Sequence, residues 1–431
     1  MYDAHSNITD ITKDGVLQYH YGYDVMNQLV SVDDKLNGKV YNYTYDAGGN
    51  LISETVTDSN GTTSNAYEYN NSNWGDVLTS YNGQSITYDE IGNPLTYRDG
   101  ISMTWKNGRQ LATLTNGDTS ISYGYDSDSV RTTKTVNGVK YTYAYLNGQL
   151  LYETRGDAKF YYSYDANGIL YNVRYTLTDG GTEYSYYYTH NSRGDIIGIY
   201  NGAGELKAHY EYDAWGNVIS ITDNNGNVIT NPNHIGNLNP FRYRGYYQDT
   251  ETGLYYLMSR YYDPITHRFI NADGYFQSGG NILDANMHSY CGNNPIMFAD
   301  PTGLCYEPQY TSAGTYIGKY WVIKTSIPGV PGFCNSCKSN GPNSGNKYYV
   351  ESSKNNKNTN HHVGKQGCGS GKRSSSLCQT GSTSRSTRHT NQTKYRKRTD
   401  AGTEKQKRYT LYIRQPDPTI YHDFSRWEKR I

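Results

Sequence analysis

The chain has 431 residues with 45 glycines, only 12 prolines and 49 tyrosines against 7 phenylalanines, a composition that suits many tight turns better than disorder. No apolar run reaches the roughly 18 residues that a membrane-crossing helix needs, so a helical span is excluded. The formal net charge of zero hides an asymmetry: residues 1–304 hold 18 Lys+Arg and 33 Asp+Glu, net −15, while residues 305–431 hold 22 and 7, net +15. The plain reading is a solvated acidic domain beside a basic tail; the functional one is an acidic wall that neutralises a basic passenger whose eventual partner is polyanionic.

Met1 opens inside a repeat copy, Tyr2-Asp3-Ala4-His5-Ser6-Asn7-Ile8, rather than on a charged segment followed by an apolar one. The expectation is a chain with no export signal of its own, belonging to a longer array; a short orphan gene fits equally well. From there an alternating aromatic strand recurs, ending in Tyr-x-Tyr-Asp and turning at Gly-Asn. Clear copies are Tyr43-Thr44-Tyr45-Asp46-Ala47-Gly48-Gly49-Asn50, Thr87-Tyr88-Asp89-Glu90-Ile91-Gly92-Asn93, Tyr162-Ser163-Tyr164-Asp165 and Tyr210-Glu211-Tyr212-Asp213-Ala214-Trp215-Gly216-Asn217, with weaker ones centred on Asp24, Asn70, Lys106, Asp126, Tyr145 and His190. Such a period marks an array of one supersecondary unit that cannot bury its apolar face alone. The unit reads as a β-hairpin: tyrosines at i and i+2 share one face of a strand, Asp bonds forward to the backbone, and glycine supplies positive φ. Because tyrosine rings carry polar tips that can pack on one side while touching water on the other, the expected sheet is a wall wetted on both faces, with no need of an oily core.

The repeats give way to Asn239-Pro240-Phe241-Arg242-Tyr243-Arg244-Gly245-Tyr246-Tyr247, Thr250-Glu251-Thr252-Gly253-Leu254-Tyr255-Tyr256-Leu257, Arg260-Tyr261-Tyr262-Asp263-Pro264, Arg268-Phe269-Ile270-Asn271-Ala272-Asp273-Gly274, Asn293-Asn294-Pro295 and Asp300-Pro301-Thr302-Gly303-Leu304. This succession closely resembles the Rhs-repeat-associated core domain of bacterial Rhs proteins, wall-associated YD-repeat toxins and the C components of insecticidal toxin complexes. With the repeats included, the resemblance covers residues 1–304. It implies a mainly β fold, a spiralling sheet of antiparallel hairpins or a partial hollow shell, around a variable C-terminal toxin. It also implies an aspartyl autoprotease cutting after Leu304, with Asp273 and Asp300 at the acidic positions and Arg260 at the conserved arginine. Gly274 departs from the commonest pattern, where proline stands.

The chemistry is intelligible from the residues. Two carboxylates forced together split their pKa values, giving one ionised group to activate water and one protonated group for the scissile amide, and an arginine can stabilise the developing oxyanion. Viewed alone, Asp263 and Asp300 are more often turn formers, and Arg260 a salt-bridge partner.

Beyond Leu304 the repeat stops. Tyr320-Trp321-Val322-Ile323 and Tyr409-Thr410-Leu411-Tyr412-Ile413 read as strands around a basic, apolar-poor stretch, so residues 305–431 are expected to be a small α+β or partly disordered domain. Cys334, Cys337, Cys368, Cys378, His361 and His362 supply enough thiolates and imidazoles for a zinc site; disulfides and unpaired thiols stand as alternatives. A nucleic-acid deaminase is disfavoured because no His-x-Glu precedes Cys334-Asn335-Ser336-Cys337. Basic clusters at Lys394-Tyr395-Arg396-Lys397-Arg398 and Lys405-Gln406-Lys407-Arg408-Tyr409 fit either a phosphate-tracking surface or a solvated face. His361, His362, His389 and His422 are the candidates for general-base work.

The resulting expectation has three domains: repeats over 1–238, core over 239–304 and a basic effector over 305–431. The function expected is a polymorphic toxin module whose shell encloses its own C-terminal cargo, with a cognate immunity protein and nucleic acid as partners. It would be secreted or displayed as part of a longer parent, or cytoplasmic if made as it stands. The alternatives are a structural or adhesive YD-repeat surface protein and an inactive orphan cassette.

Overall fold

A computed structural model describes residues 1–274 and 282–308. The described chain is almost entirely antiparallel β. An 8-stranded sheet runs in sequence order from Asp10–Lys13 to Gln84–Ser85, and a 14-stranded sheet from Thr87–Tyr88 to Val218–Thr222. Every strand pairs with its neighbours in sequence, and neither sheet closes on itself. A 4-stranded sheet follows, built from Tyr247–Gln248, Tyr255–Leu257, Arg260–Asp263 and Arg268–Phe269, and then a 2-stranded hairpin of Phe298–Ala299 and Glu307–Pro308.

The repeat is legible in its hydrogen bonds. At the tip of each clear copy an Asp accepts from the backbone N–H two and four residues on: Asp46 Oδ1 from Gly48 (2.8 Å) and Asn50 (2.9 Å), Asp165 Oδ1 from Asn167 and Ile169 (both 2.8 Å), and Asp213 Oδ1 from Trp215 and Asn217 (both 2.9 Å). One side chain thus closes a turn whose donors would otherwise be orphaned. The weak copy read at His190 is centred one residue later, where Asn191 Oδ1 accepts from Arg193 and Asp195.

The preference for tyrosine over phenylalanine has a specific cause, and it corrects the expectation of a wall wetted through its tyrosine tips. In five of the motifs the second Tyr donates its hydroxyl to a carbonyl at the head of the preceding hairpin's return strand: Tyr45 to Leu29 (2.8 Å), Tyr69 to Leu51 (3.0 Å), Tyr125 to Leu111 (3.1 Å), Tyr164 to Leu150 (3.0 Å) and Tyr212 to Ile196 (2.7 Å). Trp105 takes the same place in its copy, donating Nε1 to the Pro94 carbonyl at 2.7 Å. The strand shifts register immediately before these rings, at Thr44/Tyr45, Gly124/Tyr125 and Ser163/Tyr164, and such bulges re-aim a side chain. Burial pushes the hydroxyl pKa values of Tyr45 and Tyr212 well upward. One face of the sheets is therefore a true core, in which Leu29, Leu111, Leu114, Ile196 and Ile199 are fully buried among the tyrosines.

The hairpin tips converge on the segment after Asn239. Asn293 Nδ2 donates to the Gly49 carbonyl (2.7 Å), Asn294 Nδ2 to that of Asn27 (2.9 Å), and Tyr255 and Tyr262 hydroxyls to those of Gly216 (2.9 Å) and Trp215 (2.7 Å). Gly216 must be glycine twice over: its φ is +88°, and a Cβ there would stand 2.4 Å from the Tyr243 ring.

Candidate active site

The elements that present the site are tied to the repeats by buried ion pairs. Arg131 is fully buried and donates to both oxygens of Asp249, at 2.6 and 3.1 Å, while Lys134 reaches Asp249 at 3.0 Å and Glu251 at 2.9 Å. Burial alone would raise the Asp249 pKa, but the Arg131 and Lys134 charges outweigh it and hold the carboxyl low. The Arg131 guanidinium also lies 4.2 Å from the Tyr256 ring centroid and 5.1 Å from that of Tyr143. Asp263 accepts from Arg98 at 2.7 and 2.9 Å and from the Ile265 N–H at 3.0 Å, so it is a turn former, as read, and also a buried anchor.

The three residues singled out in sequence meet. Arg260 (5% exposed), Asp273 (5%) and Asp300 (1%) are all withdrawn from solvent. Arg260 Nη2 lies 3.2 Å from Asp273 Oδ2 and 3.4 Å from Asp300 Oδ2, so one guanidinium nitrogen stands between both carboxylates. Its Nε donates to the Gly303 carbonyl, its Nη1 to the Met287 carbonyl at 3.1 Å, and its face covers the Phe269 ring at 3.5 Å. Arg260 therefore grips the peptide one residue before Leu304 and fastens the carboxylates together.

The junction itself forms the loop of the last hairpin, between Phe298–Ala299 and Glu307–Pro308. Asp300 Oδ1 accepts from the N–H groups of Thr302 (3.3 Å) and Leu304 (3.2 Å), and the Asp300 N–H donates to the Tyr246 hydroxyl at 2.9 Å. Ser259 Oγ donates to the Thr302 carbonyl at 2.7 Å, and Gly303, at φ +68°, packs so closely that a Cβ would come within 2.8 Å of the Leu257 carbonyl oxygen. Leu304 and Cys305 line the same small cavity as Arg260, Asp273, Met287 and Asp300. Burial raises the Asp300 pKa; Arg260 opposes the shift and Asp273 adds to it. This is the arrangement in which one carboxyl of a pair keeps its proton.

Sequence reasoning did not find Asp76, His288 or Arg109. Arg109 Nη1 donates to the Ala272 carbonyl at 3.0 Å, and Asp76 Oδ2 accepts from the Met287 N–H at 2.7 Å. Nothing in the local pattern around Trp74-Gly75-Asp76 signals such a reach. Cys334, Cys337, Cys368, Cys378, His361 and His362 lie outside the described residues, as do the basic clusters. Among the described residues no group of His, Cys, Asp and Glu is arranged to hold a metal ion, and no helix is long and apolar enough to cross a membrane.

Comparison with known proteins agrees with this architecture. The tRNA3(Ser)-specific nuclease WapA of Bacillus spizizenii is 39% identical over 290 residues, covering 65% of this chain and 12% of that protein. Double-stranded DNA deaminase toxin A of Burkholderia cenocepacia is 27% identical over 364 residues, 77% of this chain and 23% of the other. The chain thus spans about an eighth to a quarter of the length of these relatives. Among solved structures, the Tc holotoxin pore of Photorhabdus luminescens superposes with a TM-score of 0.54 at 17% identity over 74% of this chain and 17% of that one, a likeness of fold. Residues 1–296 match the Teneurin YD-shell family, and the chain therefore belongs to that family of Rhs-type YD-repeat shells.

Proposed function

We propose that this chain is the shell and self-cleaving end of a polymorphic toxin, which cuts itself after Leu304 and releases residues 305–431 as a basic effector. The observation that carries the reading is the meeting of Asp273, Asp300 and Arg260 at one cavity with the Leu304–Cys305 peptide. In the cleavage step Asp273, beside Arg260, takes a proton from water as the water oxygen attacks the Leu304 carbonyl carbon. Asp300, whose pKa burial raises, gives a proton to the Cys305 nitrogen as the C–N bond breaks. Arg260 positions the peptide through Gly303 and keeps the carboxylates within reach of it.

The relatives named for tRNA cleavage and for double-stranded DNA deamination support nucleic acid as the target, and the net charge of +15 beyond residue 304 suits a polyanion. A cognate immunity protein would protect the producing cell, and delivery would belong to a longer secreted or surface-displayed parent. The effector assignment is tested by tightly controlled expression of residues 305–431. Growth arrest with fragmented or altered tRNA or DNA is expected, and unchanged growth with intact nucleic acid would remove it.

A further inference from the structure

The cleavage centre is not contained in the segment that carries its catalytic residues. Met287 is its hinge point: its carbonyl accepts from Arg260 Nη1 at 3.1 Å and from the Asp273 N–H at 2.9 Å. One backbone oxygen therefore sets the spacing between the guanidinium and the Asp273 backbone. The N–H of the same residue donates to Asp76 Oδ2 at 2.7 Å. Asp76 is 211 residues away in sequence, in the connection between strands Gly61–Glu68 and Ser80–Tyr81 of the first repeat sheet. Its own carbonyl accepts from Arg268 Nη2, so the loop is held at two points by the segment it supports.

We propose that Asp76, on the repeat sheet, is a positioning residue for self-cleavage, fixing Met287 so that Arg260 and Asp273 face the Leu304 junction together. The inference rests on the cleavage reading above. The neighbouring His288 does not replace this bond: its ring is buried between Trp74 and Tyr88, each 6.2 Å away, and its Nδ1 stands 3.8 Å from Asp76 Oδ2, beyond hydrogen-bond reach. Without the Asp76 acceptor the part-buried Met287 N–H loses this partner, and the residue is held through its carbonyl alone. A displacement on the order of 1 Å in a catalytic group costs about 100-fold in rate. The device also has a functional consequence: the cutter is complete only when the first repeat sheet has docked on it, so the passenger is not released from an unfinished shell.

The test follows the release of the fragment beginning at Cys305, by mass, from the full chain and its variants, with a thermal midpoint recorded for each. Asp76→Asn keeps an oxygen for the Met287 N–H and is expected to cleave within a few-fold of the wild type. Asp76→Ala removes the acceptor, and Asp76→Glu keeps the charge but moves it by one methylene; both are expected to slow cleavage about 10- to 100-fold. If the alanine variant does not fold, the contrast between asparagine and glutamate decides the matter. Wild-type rates in both Asp76→Ala and Asp76→Glu would overturn the proposal, as would an Asp76→Asn rate as low as that of Asp76→Ala. Failure of the underlying reading looks different: the wild type stays whole, or Asp273→Asn cleaves normally.

Discussion

The repeat hairpins and the segment from Asn239 to Pro308 satisfy their polar groups over very different distances. In a hairpin, Asp46 bonds two and four residues along the chain and Tyr45 bonds 16 residues back. In the later segment, Asp249 reaches 118 residues to Arg131, Asp263 reaches 165 to Arg98, and Asn294 reaches 287 to Asn7. The first kind of structure is additive, with each unit closed by its own turn and latched to its neighbour. The second is conditional, because buried charges such as Asp249 and Asp263 gain their arginine partners only when hairpins far apart in sequence are in place. The candidate cleavage site sits in the conditional part, so the proposed self-cleavage would depend on completion of the fold.

The largest effect expected from this contrast is in Arg131→Met. It leaves Asp249 buried with Lys134 as its remaining partner, and the loss should be about 3 kcal/mol in chemical denaturation. A loss below about 0.5 kcal/mol, the size of a neutral surface change, would show that the two regions are not locked by this pair.

A second difference should appear in acid. Burial pushes the His288 pKa down from 6.5 to about 4; Asp76 opposes this and the Arg268 and Arg260 charges assist it. Because the folded pKa lies below the unfolded one, the stability this neutral imidazole allows is present above pH 6.5 and is lost as pH falls toward 4. The loss should be about 3 kcal/mol by pH 4 and absent in His288→Phe. Equal acid sensitivity in both proteins would assign it to other groups.

The smallest effect should be in the repeat. Tyr45→Phe removes only the bond to the Leu29 carbonyl and should cost about 1 kcal/mol, leaving the turn at Asp46 and the cleavage rate unchanged. A loss of cleavage in Tyr45→Phe would mean that the hairpins are coupled to the centre more tightly than their local bonding implies.

The same division governs what could be read from the sequence. The hairpins were legible because their determinants lie within a few residues of one another: Asp165 and Gly168 appear together in the chain and act together in the turn. The role of the tyrosine hydroxyl was misjudged, since its acceptor belongs to the previous hairpin and no single motif contains both. Asp273, Asp300 and Arg260 were found through family resemblance, and their geometry then brought them together. Arg131 and Lys134 are both buried on a tyrosine-rich sheet, and nothing local identifies Asp249 as their partner. Asp76 gave no local signal, because its importance lies in the backbone of a residue 211 positions away.

The account is tested most directly by the intact mass of the purified full chain beside Asp273→Asn and Asp300→Asn. Two fragments meeting between Leu304 and Cys305 in the wild type, with both variants whole, is the predicted result. A wild type that remains a single polypeptide under conditions where it is folded, or variants that divide at the same bond as readily as the wild type, would contradict it.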